Sequence, residues 1–249
     1  MNAIKKVLIT KQGRKFYAKS LDEDLHTQYG LIKKEELKKA KDGSLLKSNT
    51  NKEFFVFSPS FIDLYRKIKR DAQIIPLKDI GFIIAETGIN KESRVLDAGS
   101  GSGALACFLA SIAKEVVTYD IREDFIEVVK SNIEFLSLKN IKVKNNDVYK
   151  EIDEKDFDAV ILDVPEPWKA IENCSKALKA GGFLVSYSPS VPQVIDFVNA
   201  ARKNEDFVYL KTVEIIEREW EVEDRKVRPK SKGIGHSGFL SFARKVSNQ

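Results

Sequence analysis

From residue 78 onward, short apolar runs alternate with stretches whose apolar residues return every three or four positions. Arg94–Asp97, Val116–Asp120, Ile141–Asp147, Phe157–Asp163 and Gly181–Tyr187 read as strands. Lys78–Thr87, Ala104–Ala113, Arg122–Leu138, Glu166–Leu178 and Val191–Lys203 read as helices, and Tyr209–Ile216 and Phe239–Arg244 as two closing strands. In Arg122–Leu138 the residues Phe125, Ile126, Val129, Ile133 and Leu136 fall near helical spacing. Such alternation predicts an α/β fold with a parallel sheet covered on both faces. Ligands of these sheets bind outside the carboxyl ends of the strands. Asp97, Asp120, Asp147 and Asp163 are all expected there. Core packing does not explain four strands that each end in an acid.

The first 57 residues are patterned differently. The β-like runs Lys6–Thr10 and Phe54–Phe57 are broken by turn-like clusters, Lys41–Ser44 and Ser48–Lys52. The expected organisation is a small β-rich domain at 1–57, a helical linker at 58–77 that contains the helical run Pro59–Arg70, and an α/β domain at 78–249.

Composition narrows the class. The chain of 249 residues is 43% hydrophobic, enough for one large domain or for one with a small companion. Two cysteines and two histidines exclude a disulfide scaffold and a structural zinc site. The longest uncharged stretches, Ala98–Ala113 and Ala180–Ile195, are too short for a bilayer. Lys5 and Lys6 are not followed by an apolar signal core, so a cytoplasmic protein is expected. The net charge of +5 is unevenly spread: +9 over residues 1–70, −8 over 71–217 and +4 over 218–249. Two basic ends suit a polyanionic partner such as nucleic acid, although lysine-rich surfaces are also merely well solvated.

The sharpest motif is Val95-Leu96-Asp97-Ala98-Gly99-Ser100-Gly101-Ser102-Gly103-Ala104-Leu105. Its glycines permit a tight turn and close approach of a ligand to the backbone. A dinucleotide site would instead show G-x-G-x-x-G. Asp97 would repel a phosphate but suits an ammonium or sulfonium group. The loop, with Asp120 ending the next strand, resembles motif I of S-adenosylmethionine methyltransferases. That resemblance puts the methionine part over Gly99–Gly103, the ribose hydroxyls on Asp120, and the adenine amino group on Asp147 beside Val148. A helix cap for Asp120 and a turn residue for Asp147 are the competing structural readings.

A second motif, Leu162-Asp163-Val164-Pro165-Glu166-Pro167-Trp168, follows the fourth strand. Its prolines stiffen the segment. Trp168 either stacks on a base or packs the start of the next helix. Asp163–Trp168 is similar to the D-x-P-x-P-W signature of the TrmI family of tRNA (adenine-N1) methyltransferases. Arg70-Asp71-Ala72-Gln73-Ile74-Ile75 before Lys78-Asp79, His26-Thr27 with Gly30, Pro59-Ser60-Phe61, Arg228-Pro229 and Gly235-His236-Ser237-Gly238-Phe239 resemble further segments of that family. One departure stands out: Pro76-Leu77 replaces the family's Tyr-Pro before Lys78.

The resemblance implies a Rossmann-like class I methyltransferase with a mostly parallel seven-stranded sheet, S-adenosyl-L-methionine as cofactor, tRNA as partner, a homotetramer and no metal. It implies a cofactor-binding set of Gln73, Asp97, Gly99, Gly101, Ser102, Gly103, Ala104, Leu105, Asp120, Arg122, Asp147, Val148 and Asp163. Asp163 is the expected catalytic residue, and Tyr187 and His236 the expected substrate-binding residues. Methylation at adenine N1 places a positive charge on the base, which a carboxylate at the N6 amino group would stabilise. Cys107 and Cys174 lie in apolar helical contexts and read as structural. Competing functions are a same-fold methyltransferase of another acceptor such as protein isoaspartate, a noncatalytic tRNA-binding subunit, and a nicotinamide oxidoreductase. The D-x-P-x-P-W motif, the intact glycine loop with Asp163, and the loop spacing argue against them in turn.

Overall fold

The structure is a computed structural model and describes residues 3–246. It divides into two compact units, one reaching to Ile68 and including Glu134–Ser137, the other formed by Lys69–Ile133 and the chain from Leu138 on.

The first unit holds β1 (Lys6–Ile9), β2 (Lys15–Ala18), β3 (Leu25–Thr27), β4 (Gly30–Ile32), α1 (Lys34–Lys39), β5 (Leu45–Lys47), β6 (Glu53–Phe57) and α2 (Phe61–Tyr65). An antiparallel sheet runs in the order β2-β1-β6-β5, and β3 and β4 form a separate hairpin. Leu8, Ile32, Leu37, Phe54 and Val56 form its buried core. Helix α2 opens on a capping box between Ser60 and Asp63 and is much shorter than the helical run expected over Pro59–Arg70. The reason is local. Lys67 and Ile68 make tight bonds to the carbonyls three residues back, and both backbone groups of Lys69 are taken by the side chain of Asn132. Propagation of the helix then has no free partners.

The second unit holds α3 (Leu77–Thr87), β7 (Arg94–Ala98), α4 (Ala104–Ala110), β8 (Glu115–Asp120), α5 (Glu123–Leu136) as far as Ile133, β9 (Ile141–Asn145), β10 (Phe157–Leu162), α6 (Ile171–Ala177), β11 (Leu178–Ser188), α7 (Val191–Lys203), β12 (Phe207–Glu214), β13 (Trp220–Glu223), β14 (Lys226–Pro229) and β15 (Phe239–Lys245). A seven-stranded sheet runs β12-β15-β11-β10-β7-β8-β9. The pairs from β11 through β10, β7 and β8 to β9 are parallel. Only β15 is antiparallel to its neighbours, β11 and β12. This is the mostly parallel, seven-stranded sheet expected. Strands β7 and β10 are almost wholly buried, as central parallel strands must be, β7 carrying the buried charge of Asp97 among Val95, Leu96 and Ala98. Leu96, Val117, Val160, Leu162, Leu184 and Phe197 belong to one buried core.

Two expectations are corrected. The helix expected over Glu166–Leu178 is a 3₁₀ turn at Pro167–Ala170 followed by the shorter α6. Pro165 and Pro167 keep the residues before them out of the helical region. The closing segment also contains the hairpin β13–β14, turned at Asp224 with φ 52°, where no strand was expected. Among the described residues no helix is long and apolar enough to cross a membrane.

Candidate active site

The order of the strands changes direction between β7 and β10: β8 and β9 lie on one side, β11 on the other. A crevice at such a switch point is where these sheets bind ligands. Here it is a cavity of about 400 Å³, within the ordinary range for small-molecule sites.

Its floor is the loop from β7 to α4. The backbone N–H groups of Gly99 and Ser100 both donate to the Tyr119 carbonyl, at 2.9 and 3.0 Å. Gly99 has φ 94°, and a Cβ there would sit 2.0 Å from the Asp163 carbonyl oxygen. Only glycine therefore lets β10 end against this loop. Gly103 has φ 73°, and its Cβ would meet Val129 of α5 at 2.9 Å. It serves helix packing, and alone among the expected cofactor residues it does not line the cavity.

Asp120 is fixed in place. Its Oδ2 accepts from the Gly101 N–H at 2.9 Å and its Oδ1 from the Arg122 N–H at 3.0 Å. Each oxygen keeps a lone pair for a ligand hydroxyl. Asp97 is buried. The Thr118 hydroxyl donates to it at 2.9 Å and the Ala106 backbone N–H also bonds it. Burial, with Asp163 and Asp120 nearby, outweighs the Thr118 bond and pushes its carboxyl up to about 8.

Asp163 follows β10, its N–H bonded to the Ala98 carbonyl at 2.8 Å. Its side chain lines the cavity, and among the described residues none donates a hydrogen bond to it or pairs with it as a cation. Burial alone pushes this carboxyl up to about 7.

Asp147 is not at a strand end, because β9 stops at Asn145. It starts a turn instead, accepting from the Tyr149 N–H at 3.0 Å, and still lines the cavity beside Val148. Gln73, Ser102, Ala104, Leu105 and Arg122 also line it. The Arg122 guanidinium is bound to Asp124 and lies 3.7 Å from the Phe125 ring centroid.

The two expected substrate residues are not brought to the cavity wall. Tyr187 is buried, with its ring against Gly238, where a Cβ would come within 2.5 Å. His236 spends both ring nitrogens inside the protein, Nδ1 on Glu214 at 2.6 Å and Nε2 on the Pro189 carbonyl at 2.9 Å. Serving two acceptors requires the protonated ring, and the Glu214 bond raises its pKa. Trp168 packs against the core of the sheet. Cys107 and Cys174 are buried free thiols, the first pushed up to about 12 by burial. Lining residues not anticipated include Ile74, Ile75, Ile121 and Tyr149. Ile121 follows a strand-end acid directly, the one sequence signal that could have found it.

The family described as the tRNA methyltransferase complex GCD14 subunit matches residues 63–236. The tRNA (adenine(57)-N(1)/adenine(58)-N(1))-methyltransferase TrmI of Methanocaldococcus jannaschii is 36% identical, covering 96% of this chain and 94% of its own. The chain belongs to this family of tRNA (adenine-N1) methyltransferases. The tRNA (adenine(58)-N(1))-methyltransferase TrmI of Thermus thermophilus is 32% identical over 88% of each chain. The crystal structure of the tRNA (m1A58) methyltransferase TrmI from Aquifex aeolicus superposes with a TM-score of 0.84 at 29% identity, covering 98% of this chain and 97% of its own. A Thermotoga maritima structure described as a SAM-dependent O-methyltransferase gives 0.89, also at 29%, covering 100% and 95%.

Proposed function

We propose that this protein transfers the methyl group of S-adenosylmethionine to N1 of an adenine in the T-loop of tRNA, at position 58 or at 57 and 58, with Asp163 acting on the base. The observation that carries this reading is the uncommitted Asp163 carboxyl at the carboxyl end of β10. Buried acids are normally paired or hydrogen-bonded, so one left open in a cavity is poised for a ligand.

The lining fits the cofactor. Asp97 and Asp163 answer a cation, Asp120 keeps acceptors for ribose hydroxyls, and Ile121 and Val148 offer apolar surface to an adenine whose amino group meets Asp147. Bound there, S-adenosylmethionine supplies an electrophilic methyl group on a sulfonium. Asp163 accepts a hydrogen bond from the N6 amino group of the target adenine and stabilises the positive charge that grows on the ring. It can also take the N6 proton. The base enters by extrusion from the tRNA elbow.

The basic residues of the first unit bind the tRNA backbone, and Arg14, Lys52 and Tyr29 form one candidate contact. Both cations lie over the Tyr29 ring, at 5.9 and 5.1 Å from its centroid. The β13–β14 hairpin suits self-association into a homotetramer, since Val222 is 69% and Val227 56% exposed. The cytoplasm, where tRNA is modified, is the proposed location. Nucleoside analysis of tRNA incubated with the protein and S-adenosylmethionine tests the reading. N1-methyladenosine mapped to the T-loop is expected; unmodified tRNA, or modification elsewhere, overturns it.

A further inference from the structure

Residues Ala72–Ile75 wall the cavity without belonging to any helix or strand. What holds them lies outside the cavity. Asn132, fully buried on α5, accepts from the Lys69 N–H at 2.8 Å. Its Nδ2 donates to the Lys69 carbonyl at 2.9 Å and to the Ser102 carbonyl at 2.8 Å. The Ser102 hydroxyl in turn accepts from the Asp71 and Ala72 N–H groups at 3.0 and 3.2 Å. One amide side chain thus ties the strap at 69–72 to the glycine loop, using both its donors and its acceptor. Ser102 lines the cavity, but its hydroxyl is committed to the strap.

We propose that Asn132 is a positioning residue for cofactor binding: it pins the strap across the glycine loop, so that Ala72–Ile75 already form a wall when S-adenosylmethionine enters. Preorganisation of this kind acts on affinity, because the ordering cost is met during folding. The inference rests on the cofactor occupying this cavity.

Asn132→Ala tests it, beside Asn140→Ala. Asn140 makes bonds of the same kind, from Nδ2 to the Ala110 and Ala113 carbonyls at 2.9 Å each, at the amino ends of the strands and off the cavity wall. Both variants should lower the melting temperature. Asn132→Ala should raise both the Kd and the KM for S-adenosylmethionine about tenfold, the scale of one or two lost buried hydrogen bonds. Its kcat at saturating cofactor should stay near that of the parent, and the Asp71 and Ala72 amides should exchange faster with deuterium. Asn140→Ala should leave the KM unmoved. Should Asn132→Ala not fold, Asn132→Ser, which leaves a small polar group in place of the amide and cannot span the Lys69 and Ser102 carbonyls, carries the same expectation. An Asn132→Ala Kd equal to the parent's, or a shift matched by Asn140→Ala, overturns the inference. Asp120→Ala, measured alongside, separates the two failures. If it weakens binding and Asn132→Ala does not, only the strap reading falls; if neither does, the placement of the cofactor falls.

Discussion

Asp163→Ala removes a carboxyl that has no hydrogen-bond partner among the described residues. Nothing inside the fold is orphaned by its loss. It does not cap the following helical turn either: that turn begins after Glu166 without a side-chain cap. The melting temperature should therefore not fall. The pH dependence sharpens the point. A carboxyl with an unfolded value near about 4 that burial raises to about 7 contributes stability fully below the lower value. That contribution is lost as the pH rises through the higher one. The Ala variant lacks this loss, so at pH 8 it should melt no lower than the parent. Turnover should behave oppositely. A charge-stabilising contact made chiefly in the transition state is worth about 10²-fold or more, or about 2.7 kcal/mol of barrier. Single-turnover methylation of tRNA with enzyme in excess measures it directly. Affinities for tRNA and S-adenosylmethionine should change far less, and Asp163→Asn should be nearly as poor, because an amide carries no charge. Near-normal methylation together with a lowered melting temperature would refute the catalytic assignment.

Three further outcomes are expected. Asp120→Ala strands the Gly101 and Arg122 N–H groups and removes the ribose acceptor; calorimetry should show cofactor binding weaker by about 1–3 kcal/mol, and an unchanged Kd would remove the assignment. The kcat/KM for tRNA should rise with pH through a midpoint near 7, because the raised Asp163 must be ionised to stabilise a cationic base; a profile flat from about pH 5.5 to 8, or one still rising in Asp163→Ala, contradicts this. Affinity for tRNA should fall steeply with salt, and the double variant Arg14→Glu with Lys52→Glu should reduce the slope by about one for each phosphate left without its cation; an unaltered slope would take these residues out of the interface.

Much of the second unit was legible because its signals are local. A buried parallel strand reads as an apolar run, and a strand-end acid stands out against it. Asp97, Asp120 and Asp163 could be placed that way. Asp147 was misjudged by two residues, because Lys142 and Lys144 blur the end of an edge strand exposed to solvent. The hairpin at Trp220–Pro229 was missed since its charges alternate with its apolar residues, so no apolar run marks its strands. In the fold those charges are partly matched, Arg228 with Glu221 and Lys230 with Glu219. The strap was illegible for a different reason. Its bonds join residues 30 to 63 positions apart, and no periodicity in a single sequence records them.

The charge pattern of the chain then acquires a physical cause. A site for a cationic donor beside a base that becomes cationic needs carboxylates, and they must be buried to act at full strength. That carries a cost visible in Asp97 and Asp163, whose protons are held near neutral pH by desolvation with no cation to offset it. The same carboxylates would repel the phosphates of an approaching tRNA. Setting them in a cavity whose lining also includes the apolar Ile74, Ile75, Ile121 and Val148 concentrates their field on what enters. On the proposed reading, the net +9 of the first 70 residues supplies the cations that meet the phosphates. On that reading an extruded base, which carries no charge before methylation, enters the acidic cavity where a phosphate is repelled.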